Sequence, residues 1–432
     1  MNFRKTDEFK SSEIGPIPIA WDLKEISSIS TVIGGGTPAT KKTEYWGGNI
    51  PWLTPKDLSG YTFRYIGHGE RSITEEGLNN SNAKIVPTNS ILLTTRAPIG
   101  YLALAKNQLT TNQGFHSLIP KAGIHPLFLF YLLENNVERL KSSANGSTFG
   151  EVSGSTLKSL KFAIPEMDEQ IRITEILASL DSKIELNQQT NKTLESIAQA
   201  IFKHWFIDFE FPDENGQPYK SSGGEMVDSE LGEIPKGWEV LTLEDYGTFK
   251  NGINYLRDES GDTTFFIANV RNIANNRLLL KTSLDQINVN LNKAKEYFLR
   301  DKDILIARSA SPGEVCLVLG DLENVIYSGF SIRYRLNNPS GYLYIFLIMQ
   351  KLKKRLSNYS VGTTLQSINQ ETLKKLMFIL PSSGVLSRFN MIGEQLLKKT
   401  YNNMVQNYGL SQIRDLLLPK LMSGKIRVPL EE

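Results

Sequence analysis

Among 432 residues the sequence has one cysteine, Cys316, and four histidines, His68, His116, His125 and His204. A single cysteine closes no internal disulfide, which fits a reducing compartment and a fold held by packing. The histidines have no spacing suited to a metal, so each is read as a surface or core residue and no metal site is expected. No apolar run reaches the roughly 18 residues of a membrane-spanning helix, and no signal peptide is visible, so the expected location is the cytoplasm, away from any membrane. Charge of one sign is also missing: 48 basic residues face 46 acidic ones, a net +2. That balance argues against nonspecific coating of nucleic acid and leaves room for local basic patches. One such patch is KLKKRL at 351–356, which is equally a solvated helical face. Signatures of chemistry are absent too. There is no Asn/Asp-Pro-Pro-aromatic motif, no G-x-x-x-x-G-K-[ST] loop and no strand-bounded G-x-G-x-x-G. The glycines at 34–36 run into Thr37-Pro38, an unusual start for a phosphate-binding helix. Asp213, Lys220 and Glu225 stand in the wrong order for a metal-nuclease triad.

What is present is a duplication. Residues 14–208 and 231–428 follow one pattern at an offset of about 216. IGPIPIAW, ending at Trp21, returns as LGEIPKGW, ending at Trp238, and SILLTTRAPIG around Arg96 returns as DILIARSASPG around Arg308. NQGF ending at Phe115 answers YSGF ending at Phe330. Gly146, Leu157, Leu160 and Pro165 meet Gly362, Leu373, Leu376 and Pro381 at one constant offset. A period of about 200 residues is the size of a domain and too long for a solenoid. With 40% hydrophobic and 9% aromatic residues, each copy has enough apolar side chains to build its own core.

Each copy reads as short apolar strands, turns and then helix, an α/β (α+β) domain with a mixed sheet. In the first, NIPWLT, SILLTT, YLALA and FHSLIP read as strands and HPLFLFYLLENNVERL as a helix. The second repeats this with TTFFIANV, DILIAR, VCLVLG and FSIRYRL, then YLYIFLIMQKLKKRL. The expected divisions are a first domain at 1–165, a helix at 166–208, a flexible polar linker at 209–228, a second domain at 229–381, and a C-terminal helix and tail at 382–432.

Two long amphipathic helices follow the domains. Leu177, Leu180, Ile184, Asn187, Asn191, Leu194, Ala198, Ile201 and Trp205 recur at alternating three- and four-residue steps, a heptad seam. The second seam runs through Gly393, Leu396, Thr400, Asn403, Asn407, Leu410, Arg414 and Leu417. Each helix is expected to span roughly 30 to 35 residues, on the order of 45 to 50 Å. Antiparallel pairing would bring Asn187 to Asn407 and Asn191 to Asn403. Polar seam residues of this kind fix register at a cost in stability.

The stretch ILASLDSKIELNQQTNKTLESIAQAIFKHWFIDFEFP and the C-terminal RDLLLPKLMSGKIRV resemble the two repeated regions of the specificity subunit of type I restriction-modification systems. LGEIPKGWEV, GGGTPATKKTEYWGGNIPWLTPKDL and the Gly-Ser/Thr-Thr turns at Gly146 and Gly362 are similar to that family's target-recognition domains. The likeness covers nearly the whole chain; the second copy departs from it with KNGINY near Asn251 in place of GGGTP, which implies a different sequence read there. The resemblance implies two recognition domains on an antiparallel coiled coil in a pseudo-twofold, ring-like arrangement. It implies a noncatalytic subunit that reads a bipartite, asymmetric site in double-stranded DNA, one half per domain. It also implies docking of two methyltransferase subunits and, through them, restriction and translocase subunits. No cofactor is then expected in this chain; S-adenosylmethionine, ATP and Mg belong to the partners. Two other readings are a self-sufficient methyltransferase or nuclease, whose motifs are absent, and a coiled-coil scaffold without DNA binding.

Candidate DNA contacts follow from side-chain type and place. Arg96 and Arg308 end equivalent strands before a Pro/Gly turn, where an arginine serves as a phosphate contact, a structural bond or a guanine reader. Base readout is expected where the copies differ, at Trp52, Thr54 and Lys56 in one and at Asn269 and Arg271 in the other, with Trp52 also a core candidate. Gly146, Ser147 and Thr148, and likewise Gly362, Thr363 and Thr364, offer donors to a phosphate or simply stop one helix and cap the next. The apolar ends 204–211 and 416–426 are expected either to pack on a neighbouring domain or to meet a partner.

Overall fold

The computed structural model describes residues 4–5, 8–96, 98–144, 150–255, 261–274, 276–320, 322–358 and 368–428, without the side chains of 4, 5 and 352–358. The chain forms two compact units, 1–186 with 409–432 and 187–408. Each unit contains one recognition domain and part of both long helices.

In the first unit five strands form a mixed sheet in the order Ser30–Gly34, Phe115–Pro120, Ile91–Thr94, Leu102–Ala105, Tyr65–Ile66. A second sheet of three strands runs Thr110–Thr111, Trp46–Leu53, Arg71–Ile73. Ile91–Thr94 is buried along its whole length. Alternation explains why its run is continuously apolar: Ile91 and Leu93 enter one core with the helix Pro126–Asn135, and Leu92 enters another with Leu53 and Phe115. The expected single helix over 125–140 is two, Pro126–Asn135 and Val137–Ser142, separated at Asn136.

The second unit repeats the plan. Its inner sheet runs Gly247–Asn251, Ser331–Leu336, Ile304–Ala307, Val315–Leu317, and its three-stranded sheet runs Asp285–Val289, Thr263–Ala268, Val325–Tyr327. Ile304 and Ile306 enter one core, and Leu305, Ala307 and Cys316 the other. Burial pushes the Cys316 thiol pKa up, so it behaves as a small apolar side chain.

The hydrogen-bonded register corrects the alignment of the copies at two places. Phe115 pairs with Thr94, whereas Ser331 pairs with Ala307, so Phe115 corresponds to Ser331 and Gly114 to Phe330. In the same way Thr95 N–H donates to Gly114 O, and Arg308 N–H donates to Phe330 O, both at 2.9 Å. Arg308 therefore occupies the place of Thr95, one residue before that of Arg96.

The central helix is Met167–Phe206 and the C-terminal helix is Ser383–Met422, each of 40 residues and so longer than the seam alone indicates. The apolar ends pack within their own units. Phe202, Trp205, Phe206 and Phe211 join Trp238 and Phe389 in one core, while Leu418, Leu421 and Met422 join Trp21 and Phe128 in another. The polar segment 209–228 reads as a flexible joint by composition, but it is folded. Phe211 stacks between Tyr219 and Trp238, and Met226–Val227 pairs with Ile234–Pro235. Two aromatic rings outweigh a glycine- and serine-rich surrounding.

Candidate nucleic-acid interface and helix register

In the first unit three turns converge at the ends of strands. Strand Trp46–Leu53 stops at Thr54, whose N–H and hydroxyl both donate to Asp57 Oδ2, at 2.7 and 2.8 Å, around a short helix opened by Pro55. This turn presents Lys56, whose side chain is 80% exposed and meets Glu70 at 2.8 Å. The hydrogen bond and charge of Glu70 raise the Lys56 pKa, so the ammonium is retained. Strand Ile91–Thr94 leads to Arg96, an exposed guanidinium 3.7 Å from Glu151. The third turn is Asn112, Gln113 and Gly114, closed by Gly114 N–H donating to Asn112 Oδ1 at 2.9 Å.

Together Thr54, Pro55, Lys56, Arg96, Asn112, Gln113 and Gly114 line an open cleft of about 520 Å³. Two cations, a hydroxyl and two amides give it donors for phosphate oxygens and both donors and acceptors for base edges. Sequence reading found Thr54, Lys56 and Arg96 but passed over Asn112 and Gln113. Their signal was present in NQG, a polar turn between two strands.

Trp52 faces inward. It is buried, packs edge-on against Trp46 with centroids 5.0 Å apart, and donates its indole N–H to Gly36 O at 2.9 Å. Of its two readings the geometry matches the core one. The glycines at 34–36 are likewise occupied: Gly35 N–H and Gly36 N–H donate to Phe115 O and Thr111 O. A Cβ on Gly35 would lie 2.0 Å from Asn112 O, so glycine is required by close backbone approach. KNGINY keeps that feature at Gly252, where a Cβ would lie 2.2 Å from Ser328 O.

The second unit builds the same turns from other side chains. Asn269 follows strand Thr263–Ala268 as Thr54 follows its own strand, and its N–H donates to Asn272 Oδ1 at 2.9 Å. The Asn269 side chain accepts from Tyr255 OH at 3.1 Å. Arg271 is exposed and paired with Asp285. Arg308 is half-buried, and its carbonyl accepts from Ile368 N–H at 2.9 Å. Gly146, Ser147, Thr148, Gly362, Thr363 and Thr364 lie outside the described residues, as do the side chains of 352–356 in the basic run.

On the helix pair, Asn187 Nδ2 donates to Asn407 Oδ1 and to Gln406 Oε1, each at 2.8 Å, and Asn403 Nδ2 donates to Asn191 Oδ1 at 2.8 Å. All five residues lie in the second unit, and their numbering fixes an antiparallel direction there. Within the first unit Arg414 bonds Asp181 at 2.9 Å, an antiparallel contact of its own.

A family model described as the type I restriction modification DNA specificity domain matches residues 18–196 and again 235–385. The chain belongs to this family. The two matches coincide with the two copies, each a recognition domain. A curated relative, the type I restriction enzyme MjaIX specificity subunit of Methanocaldococcus jannaschii, is 39% identical, covering 99% of this chain and 98% of its own. The HindI specificity subunit of Haemophilus influenzae is 28% identical over 72% of this chain and 80% of its own. A crystal structure of the type I restriction-modification S subunit from M. genitalium has the same fold, with a TM-score of 0.58 at 16% identity, covering 95% of this chain and 97% of that one. As a specificity subunit, this chain combines a shared backbone frame with turn residues that differ between its copies. No helix among the described residues is long and apolar enough to cross a membrane.

Proposed function

We propose that this specificity subunit is noncatalytic and reads a bipartite, asymmetric sequence in double-stranded DNA, one half per recognition domain. The observation that carries this is a single set of turns built twice with different chemistry. Thr54, Lys56, Arg96 and Gly114 in one copy correspond to Asn269, Arg271, Ser309 and Phe330 in the other, on matched strands. Conserved backbone with altered side chains is what reading two different half-sites requires. Lys56, Arg96, Arg271 and Arg308 supply charge for phosphate or guanine, and Asn112, Gln113 and Asn269 supply amides for adenine edges.

The helix pair sets the spacing of the half-sites, with Asn187, Asn191, Asn403 and Asn407 as the register. It also docks two methyltransferase subunits and, through them, the restriction and translocase subunits. Exposed apolar residues on both helices, among them Leu186, Ile197, Met391 and Leu416, support a protein-covered surface. In this reading S-adenosylmethionine, ATP and Mg bind the partners, and the complex works in the cytoplasm.

The test is single-molecule sequencing of adenine methylation in a host without other modification genes, expressing this chain with its neighbouring methyltransferase subunit. The expected result is a motif of two defined halves and an unspecified gap, lost when this chain is omitted. A stable purified complex that methylates nothing would overturn the reading in favour of a scaffold.

A further inference from the structure

Phe330 is 66% exposed, and only it and Phe9 are exposed phenylalanines among the described residues. Its backbone is nevertheless fixed. Its carbonyl accepts from Arg308 N–H at 2.9 Å, the preceding Gly329 N–H donates to Ile253 O at 2.8 Å, and the following Ser331 N–H donates to Ser328 O at 2.9 Å. The turn thus presents an aromatic ring on a rigid base and buries little of it, an arrangement that gives up apolar burial in the free protein.

The strand register decides where the ring stands. Phe330 takes the place of Gly114, which lines the first cleft beside Thr54, Lys56 and Arg96. A Cβ built on Gly114 points at Pro55 Cγ, 2.9 Å away, so a side chain at this place projects across the cleft. The residue standing where Pro55 does is Val270, between Asn269 and Arg271. The corresponding turn of the second copy therefore carries an apolar side chain that the first copy lacks and, with Pro55 so close, has no space to add.

We infer that Phe330 is a specificity-determining residue of the second recognition domain, seated against the C5 methyl of a thymine in the half-site that domain reads. The inference rests on the DNA-reading function proposed above. A phenyl ring offers no hydrogen bond, and in the major groove the apolar feature that separates one base pair from another is the thymine methyl.

The test uses the full chain in complex with its methyltransferase subunit and duplexes carrying the mapped motif, in which each thymine of the second half-site is replaced in turn by uracil. At one position the loss of the methyl is expected to weaken wild-type binding by about 3- to 10-fold. Phe330→Ala should bind the thymine duplex more weakly by a similar factor and be indifferent to that uracil. Phe330→Gly, which copies position 114, should match it, and both should keep the wild-type melting temperature and first half-site. A second half-site without thymine overturns the inference. So does uracil sensitivity that survives Phe330→Ala, or a rise in 2-aminopurine fluorescence with methyl-independent affinity, which indicates a wedge between bases. In each of these cases the wild-type complex still methylates a bipartite motif, so their failure is separable from failure of the function itself.

Discussion

Arg96 has a carboxylate, Glu151, within 3.7 Å, whereas Arg308 makes no side-chain hydrogen bond or ion pair among the described residues. An arginine fixed by its backbone, with no guanidinium partner among the described residues, is suited to an outside acceptor. Arg308→Ala is expected to weaken DNA binding by the complex by about 1 to 3 kcal/mol, the range for an arginine–base contact, without preventing assembly. Affinity measured at matched salt checks this, and an unchanged constant would remove Arg308 from the contact surface. Glu134 offers a second test at this scale. Burial raises its pKa to about 7, and one carboxylate oxygen is buried without a partner. A carboxyl whose folded pKa lies above its ordinary value stabilises the fold below the ordinary value and loses that contribution as pH rises through 7. Glu134→Gln should therefore raise stability at pH 8 by roughly 1 to 3 kcal/mol and change little at pH 4. A difference that is the same at both pH values would show that Glu134 is not held neutral. Trp52 shows what residue type alone leaves open, since the same indole suits a base or a core and only its bond to Gly36 O separates them.

At the scale of elements, the helix seam was legible because heptad spacing is a local property. Every seam residue named on the central helix is buried or half-buried. The helix ends were less legible because Phe206 and Phe211 answer to Trp238, a residue distant in sequence. The asparagine layers give a sharp expectation. Asn187 is 2% exposed and bonded to both Asn407 and Gln406. Asn187→Leu alone removes both of these hydrogen bonds from a buried position of the seam, at a cost of about 1 kcal/mol. Asn187→Leu with Asn407→Leu should recover that loss and even exceed wild-type stability, while weakening the choice of register. Calorimetry of the wild type and these two variants measures the first effect, and disulfide trapping between introduced cysteines measures the second. If the double variant is no more stable than the single one, the asparagine pair contributes more than register.

For the whole molecule, the duplication was the clearest message of the sequence, since two copies of one strand order carry the same apolar pattern. Its exact register was not. The shared Gly-Phe of NQGF and YSGF draws the copies together one residue away from where backbone hydrogen bonds place them, and side-chain identity carries no information about strand pairing. The spacing of half-sites is the property that belongs to this scale. Asn191 faces Asn403, so one heptad inserted after Lys192 and another after Tyr401 extends both helices at matched positions without breaking either seam. The pair then lengthens by about 10 Å, close to three base pairs at roughly 3.4 Å each. Methylation sequencing of that variant should return the same two half-sites with a gap wider by about three base pairs. Both halves with an unchanged gap would show that the recognition domains, and not the helices, measure the distance.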